Sequence, residues 1–133
     1  MAGVAAAFPS ALVAAMLACA PAAAAPRNAP ARGEADYATY CAPCHGSRGG
    51  GDGPLARMLV PRPARHSDAV FMNALSDEYL FRLLKEGGPA FGKSPLMGAW
   101  GKSISEQQIR DLVAFLRSLA QAGDRIETGG KKP

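Results

Sequence analysis

Cys41-Ala42-Pro43-Cys44-His45 combines two thiols and an imidazole at a spacing that points to one definite chemistry. C-x-x-C-H is the pattern for covalent haem attachment. Two thiols about one helical turn apart can add to the two vinyl groups on one edge of a porphyrin. The histidine that follows is then carried under the ring, where Nε2 can bind iron. Three other chemistries use similar residues. A zinc site needs four compact ligands, and only His66 and the remote Cys19 could complete one. A thioredoxin-like redox pair needs a βαβ setting, and no alternating strand pattern is present. A plain disulfide leaves His45 without a role.

An iron that only carries electrons needs its sixth position filled. His/Met ligation does this and raises the reduction potential. Met58, Met72 and Met97 follow the motif, as does His66. Met97 is the expected ligand. It lies in Ser94-Pro95-Leu96-Met97-Gly98-Ala99-Trp100-Gly101, an irregular stretch between two helical patterns and 52 residues after His45. Gly98 lets the chain pass close to a ring. Met72, just before a helix, is the weaker rival. Met58 reads as packing, and His66, among Arg65, Ser67 and Asp68, reads as a solvated surface residue.

These residues must be positioned by helices. Tyr37, Tyr40, Cys41 and Cys44 fall at i, i+3, i+4 and i+7, one face of a helix beginning after Gly33. His45 to Pro63 is a Gly/Pro-rich loop with room for a helical turn at Leu55 to Leu59. A second helix is expected from Ser76 to Glu86. Ser76 would be its N-cap, with Asp77 and Glu78 in the first turn and Gly87-Gly88-Pro89 as the stop. Ser105 to Gln108 forms a capping box. The apolar positions Ile109, Leu112, Val113, Leu116 and Leu119 then define a last helix ending near Gly123. The class is all-α: three main helices, with loops whose missing interior a flat cofactor would supply.

Composition divides the chain. All fifteen basic and eleven acidic residues lie from Arg27 onward, so the net charge of +4 belongs to the later part. Two ionised propionates would reduce it to roughly +2, which argues against a nucleic-acid partner. Residues 4–25 form an Ala-rich apolar stretch of signal-peptide type. Either cleavage follows Ala22-Ala23-Ala24, or Leu17-Ala18-Cys19 ends a lipoprotein signal and a lipidated Cys19 anchors the chain to a membrane. The expected organisation is a signal over 1–25, a linker over 26–32, the folded domain over 33–122 and a flexible tail over 123–133, working in the periplasm or otherwise exported.

The chain resembles a small bacterial class I c-type cytochrome. The matching segments are CAPCHG, the GDGP loop, SDEYLFRLLKEGG, SPLMGAWG and ISEQQIRDLVAFLRSL, which together cover about residues 33–119. The resemblance implies one covalent haem c, with Cys41 and Cys44 as attachment points and His45 and Met97 as metal ligands. It implies that Pro54 offers its carbonyl to Nδ1 of His45. It places Trp100 beside the haem, and Gly33, Tyr37 and Tyr40 near Leu112, Phe115 or Leu116. Arg62 or Arg65 could pair a propionate. Gly98 stands where many relatives carry Pro after the ligand Met. The function implied is one-electron transfer to redox partner proteins rather than catalysis. The alternatives are an electron-accepting subunit of a dehydrogenase or oxidase complex, or a catalytic or sensing haem with an open sixth position.

Overall fold

The computed structural model describes residue 3 and residues 29–129, with side chains described through residue 126. All of the expected signal except residue 3, the Cys19 lipidation site, the start of the linker and the last residues of the tail lie outside the described residues. Among those described there is no strand. The helices are α1 (Pro30–Tyr40), α2 (Ala42–His45), α3 (Ala69–Asn73), α4 (Asp77–Glu86) and α5 (Glu106–Gly129). Short 3-10 turns occupy Ala56–Met58 and Gly88–Phe91. No helix among the described residues is long and apolar enough to cross a membrane.

Local chemistry sets most boundaries. Tyr79 N–H donates to Ser76 Oγ at 3.1 Å and opens α4, which Gly87 ends at φ 84°. At α5 the capping box is reciprocal: Gln108 N–H donates to Ser105 Oγ at 3.2 Å, and Ser105 N–H to Gln108 Oε1 at 3.1 Å. Asp68 caps the short α3 by accepting from Phe71 N–H at 2.9 Å.

Two boundaries differ from the sequence expectation. α1 begins at Pro30, inside the expected linker. Pro30 suits the first helical position, and the free N–H of Ala29 is satisfied from across the fold by Asp111 Oδ1 at 2.9 Å. α5 runs through Gly123 instead of stopping there. A Cβ at Gly123 would collide with the backbone carbonyl of Ser67, so this glycine serves close packing rather than termination.

The most extensive helix contact is α1 on α5. Gly33 sits where the two backbones meet, against Asp111 and Leu112. The core gathers Tyr37 and Cys41 from α1 and its end, Met72 from α3, Leu80 and Leu84 from α4, and Ile109, Leu112 and Leu116 from α5. These walls converge on the segment that carries the cysteines.

Candidate functional site

Cys41 closes α1, its N–H bonded to Tyr37 O, and the chain restarts at once as α2. His45 N–H bonds to Cys41 O at 2.8 Å, and Gly46 then reverses the chain at φ 80°. A free helix end leaves carbonyls unpaired, and the glycine loop folds back to satisfy them. Leu55 N–H reaches Pro43 O at 2.9 Å, Gly53 N–H reaches Cys44 O at 3.2 Å, and Gly51 N–H reaches His45 O at 2.8 Å. Gly53 is needed for this approach, because its Cβ would strike the carbonyls of Ala42 and Pro43.

Cys41, Cys44 and His45 line a cavity of about 390 Å³, within the size range of small-molecule and cofactor sites. Leu80, Leu83 and Leu84 of α4 and Leu112 and Leu116 of α5 supply apolar walls. Both thiols are free; Cys41 is buried and Cys44 half-buried. Burial pushes the Cys41 thiol up to about 12, reinforced by Cys44 and Asp36. It stays a neutral thiol, unlike the low-pKa cysteine of a redox disulfide pair. No group of three or more His, Cys, Asp or Glu side chains is arranged to hold a bare metal ion among the described residues.

His45 Nδ1 lies 2.9 Å from the carbonyl oxygen of Ala64. A carbonyl only accepts, so Nδ1 carries the hydrogen and Nε2 keeps its lone pair. That tautomer, held by an outer hydrogen bond, is the one an iron-ligating histidine requires. Burial lowers the pKa of His45 against the smaller opposite effect of the Ala64 bond, so the ring is neutral at pH 7. The expected partner was Pro54. The structure corrects this: Pro54 is exposed and absent from the cavity wall. The glycine turns hold residues 53–55 against α2, and the chain reaches Nδ1 only at Ala64.

Met97 and Trp100 both line the cavity, with Met97 half-buried. The methionine loop is cinched at its base, where Gly88 N–H donates to Met97 O at 2.9 Å. Gly88 packs so closely that a Cβ would strike Ser94 O. Trp100 N–H donates to Leu84 O at 2.9 Å, and its ring lies 4.9 Å from that of Tyr40. Gly98 has room for a Cβ and no left-handed φ. Arg62 lines the cavity while Arg65 does not.

The other candidates separate. Met72 is 1% exposed and belongs to the core as well as to the cavity wall. Met58 is 73% exposed, so it is not packing; it sits in the 3-10 turn on the outside of the loop. His66 is not a solvated surface residue. It lines the cavity, stacks on His45 with ring centroids 4.1 Å apart, and bonds through Nδ1 to Tyr37 Oη at 3.0 Å. Burial, then the neighbouring His45, pushes its pKa down to about 3. The polar residues beside it in sequence gave no hint of this, and nothing in a side-chain pattern could single out the Ala64 carbonyl.

Two thiols on one helical turn, an imidazole with its lone pair free, a thioether and apolar walls suit a flat, iron-bearing macrocycle joined through its edge. Comparison with known proteins agrees. The family model for cytochrome c oxidase, cbb3-type, subunit III matches residues 28–116. A chain of the Kuenenia stuttgartiensis reducing HAO-like protein complex superposes with a TM-score of 0.56 and 27% identity, covering 81% of this chain and 48% of that one. This chain therefore spans about half the length of that structural relative. No curated protein matches.

Proposed function

Because this chain belongs to the family of cytochrome c oxidase, cbb3-type, subunit III, a family of c-type cytochrome domains carrying covalent haem c, we propose that it is a one-electron carrier whose haem is attached at Cys41 and Cys44 and ligated by His45 and Met97. The observation that carries the reading is the shared cavity: both thiols, the Nδ1-protonated imidazole and the thioether line one apolar space.

When bound, the haem iron supplies a metal that alternates between the ferric and ferrous states. Cys41 and Cys44 would hold the porphyrin edge. His45, its Nδ1 held by the Ala64 carbonyl, would ligate the iron through Nε2. Met97, its backbone held by Gly88, would supply a soft thioether that favours the ferrous state. Leu80, Leu84, Leu112 and Leu116 exclude water, which favours the less charged state of the site. Trp100 and Arg62 line the same cavity and would offer an indole N–H and a guanidinium to a propionate. With Met97 in the sixth position no place would be left for substrate, which would separate a carrier from a catalytic or sensing haem.

The setting follows from the apolar leader: an exported, periplasmic protein, with Cys19 as a lipid anchor if it is modified. The family description names an oxidase subunit, and the structural relative belongs to a protein complex. Both favour work as an electron-transferring subunit, or as a shuttle docking to such a complex.

The test is attachment. Wild-type protein matured with a haem-ligation system should retain its colour through acid-acetone extraction. The double variant Cys41→Ala/Cys44→Ala should lose it. Covalent haem retained by the double variant would defeat the assignment.

A further inference from the structure

His66 has no part in the ligand set above, yet it lines the cavity and is held by both a ring contact and a hydrogen bond. Its ring lies face to face with His45, 4.1 Å between centroids and 18° from parallel. Its Nδ1 is tied to Tyr37 Oη at 3.0 Å. Tyr37 is 1% exposed and also donates to Gly46 O at 3.1 Å. The phenol has one hydrogen and spends it on that carbonyl, so the bond with His66 runs from Nδ1–H to Tyr37 Oη. Tyr37 is itself braced by Phe115 of α5, centroids 5.1 Å apart. On the other side of His66, Gly49 at φ 71° leaves room for its Cβ, where any side chain at 49 would collide. The core thus holds Tyr37, Tyr37 holds His66, and His66 covers one face of His45.

We propose that His66 is a positioning residue that fixes the plane of the His45 imidazole. The hydrogen bond to Ala64 restrains one edge of that ring and sets its tautomer. A single bond at Nδ1 still allows the ring to rock about its Cβ–Cγ axis, and a flat partner against its face stops the rocking. Both restraints come from one short stretch, Ala64 to His66. The inference rests on His45 being an iron ligand. The plane of an axial imidazole splits the iron d orbitals, so its orientation is readable in a low-spin ferric spectrum. A second ring over the ligand also keeps water from it.

The experiment compares haem-loaded wild type with His66→Ala, His66→Gln, His66→Phe and His45→Ala by ferric electron paramagnetic resonance and by midpoint potential. His66→Ala should broaden and shift the low-spin signal and lower the potential, with haem still covalently attached. His66→Gln fills space and can still bond to Tyr37 but has no ring face, so it should behave like Ala. His66→Phe restores the face and should return both readouts toward wild type. If Ala and Gln leave signal and potential unchanged while His45→Ala destroys the low-spin signal, His66 only fills space and the proposal fails alone. If His45→Ala keeps the wild-type signal, the axial assignment fails and takes the proposal with it.

Discussion

Gly33 of α1 lies against the backbone carbonyl of Asp111 in α5, so close that a Cβ at position 33 would overlap that oxygen. The two helices that frame the cysteine end of the cavity meet backbone to backbone at this point. The obstacle is a carbonyl within a helix, not a flexible side chain, so it cannot move aside. Gly33→Ala should therefore separate α1 from α5, at a cost of about 1–3 kcal/mol. Ala has the better helix propensity, so a purely local account forecasts stabilisation instead. Thermal or denaturant unfolding of the haem-loaded variant decides between them, and a higher midpoint than wild type would refute the close-approach reading.

Asp111 does more than face Gly33. Asp111 is 2% exposed, and its carboxylate accepts from Arg32 at 2.7 Å, from Ala29 N–H at 2.9 Å and from Gln107 at 3.1 Å. Burial alone would raise its pKa, but these donors outweigh burial and hold it below the ordinary 3.8. The unfolded chain therefore takes up a proton before the folded one does. The contribution of Asp111 to stability is complete above the ordinary carboxylate value and is lost as pH falls through the depressed folded value. Asp111→Asn should cost about 1–2 kcal/mol near neutrality. The gap between wild type and variant should stay flat from about pH 7 to 5 and then close in acid. Denaturation midpoints of the pair across that range measure it, and a gap unchanged in strong acid would contradict the ionic role.

What could be read from sequence divides along the same line between local and distant causes. The start of α4 and the start of α5 were legible because Ser76, Ser105 and Gln108 act on their own neighbours. The Cys/His segment and Met97 are singled out by residue type, and the fold brings them to one cavity. The start of α1 was not legible, since its cap comes from Asp111 on the last helix. Gly123 reads locally as a stop, yet its reason is Ser67, brought close only by folding. The partner of His45 Nδ1 is a backbone carbonyl that any residue could supply, so the family resemblance pointed to Pro54 while the loop geometry selects Ala64. His66 was hidden by polar sequence neighbours, because its burial depends on Tyr37 and on the turn at Gly49.

Arg117 of α5 is the hub for the corner between α3 and α4. Its Nη1 donates to Met72 O at 2.6 Å, its Nη2 to Leu75 O at 2.5 Å and its Nε to Asp77 Oδ1 at 2.8 Å. The two carbonyls belong to the end of α3 and the link after it, so the guanidinium closes one helix end and fixes the approach to the next. A lysine has one ammonium and cannot match this planar set. Arg117→Lys should therefore lose nearly as much stability as Arg117→Ala, about 1–3 kcal/mol. Met72 forms part of the cavity wall, so a loosened corner should also admit solvent to the haem. Unfolding midpoints with near-ultraviolet and haem-region circular dichroism would register both effects, and full rescue by lysine would reduce Arg117 to a simple surface charge.

Met97 reaches the cavity from a loop held by Gly88 at one end and by Trp100 N–H on Leu84 O at the other. Removal of its thioether should change the iron without unfolding the domain, because the loop is pinned by backbone bonds rather than by the side chain. Met97→Ala should lose the weak long-wavelength absorption of a methionine–ferric iron bond and lower the midpoint potential. It should also gain binding of added imidazole in the ferric state and of carbon monoxide in the ferrous state. Met72 also lines the cavity, but it is sealed in the core at 1% exposure, so it would have to leave its packing to replace Met97. Met72→Ala should consequently reduce stability, by about 2–5 kcal/mol as for other buried methionines, and leave the methionine band in place. A band that survives Met97→Ala and disappears in Met72→Ala would exchange the two roles.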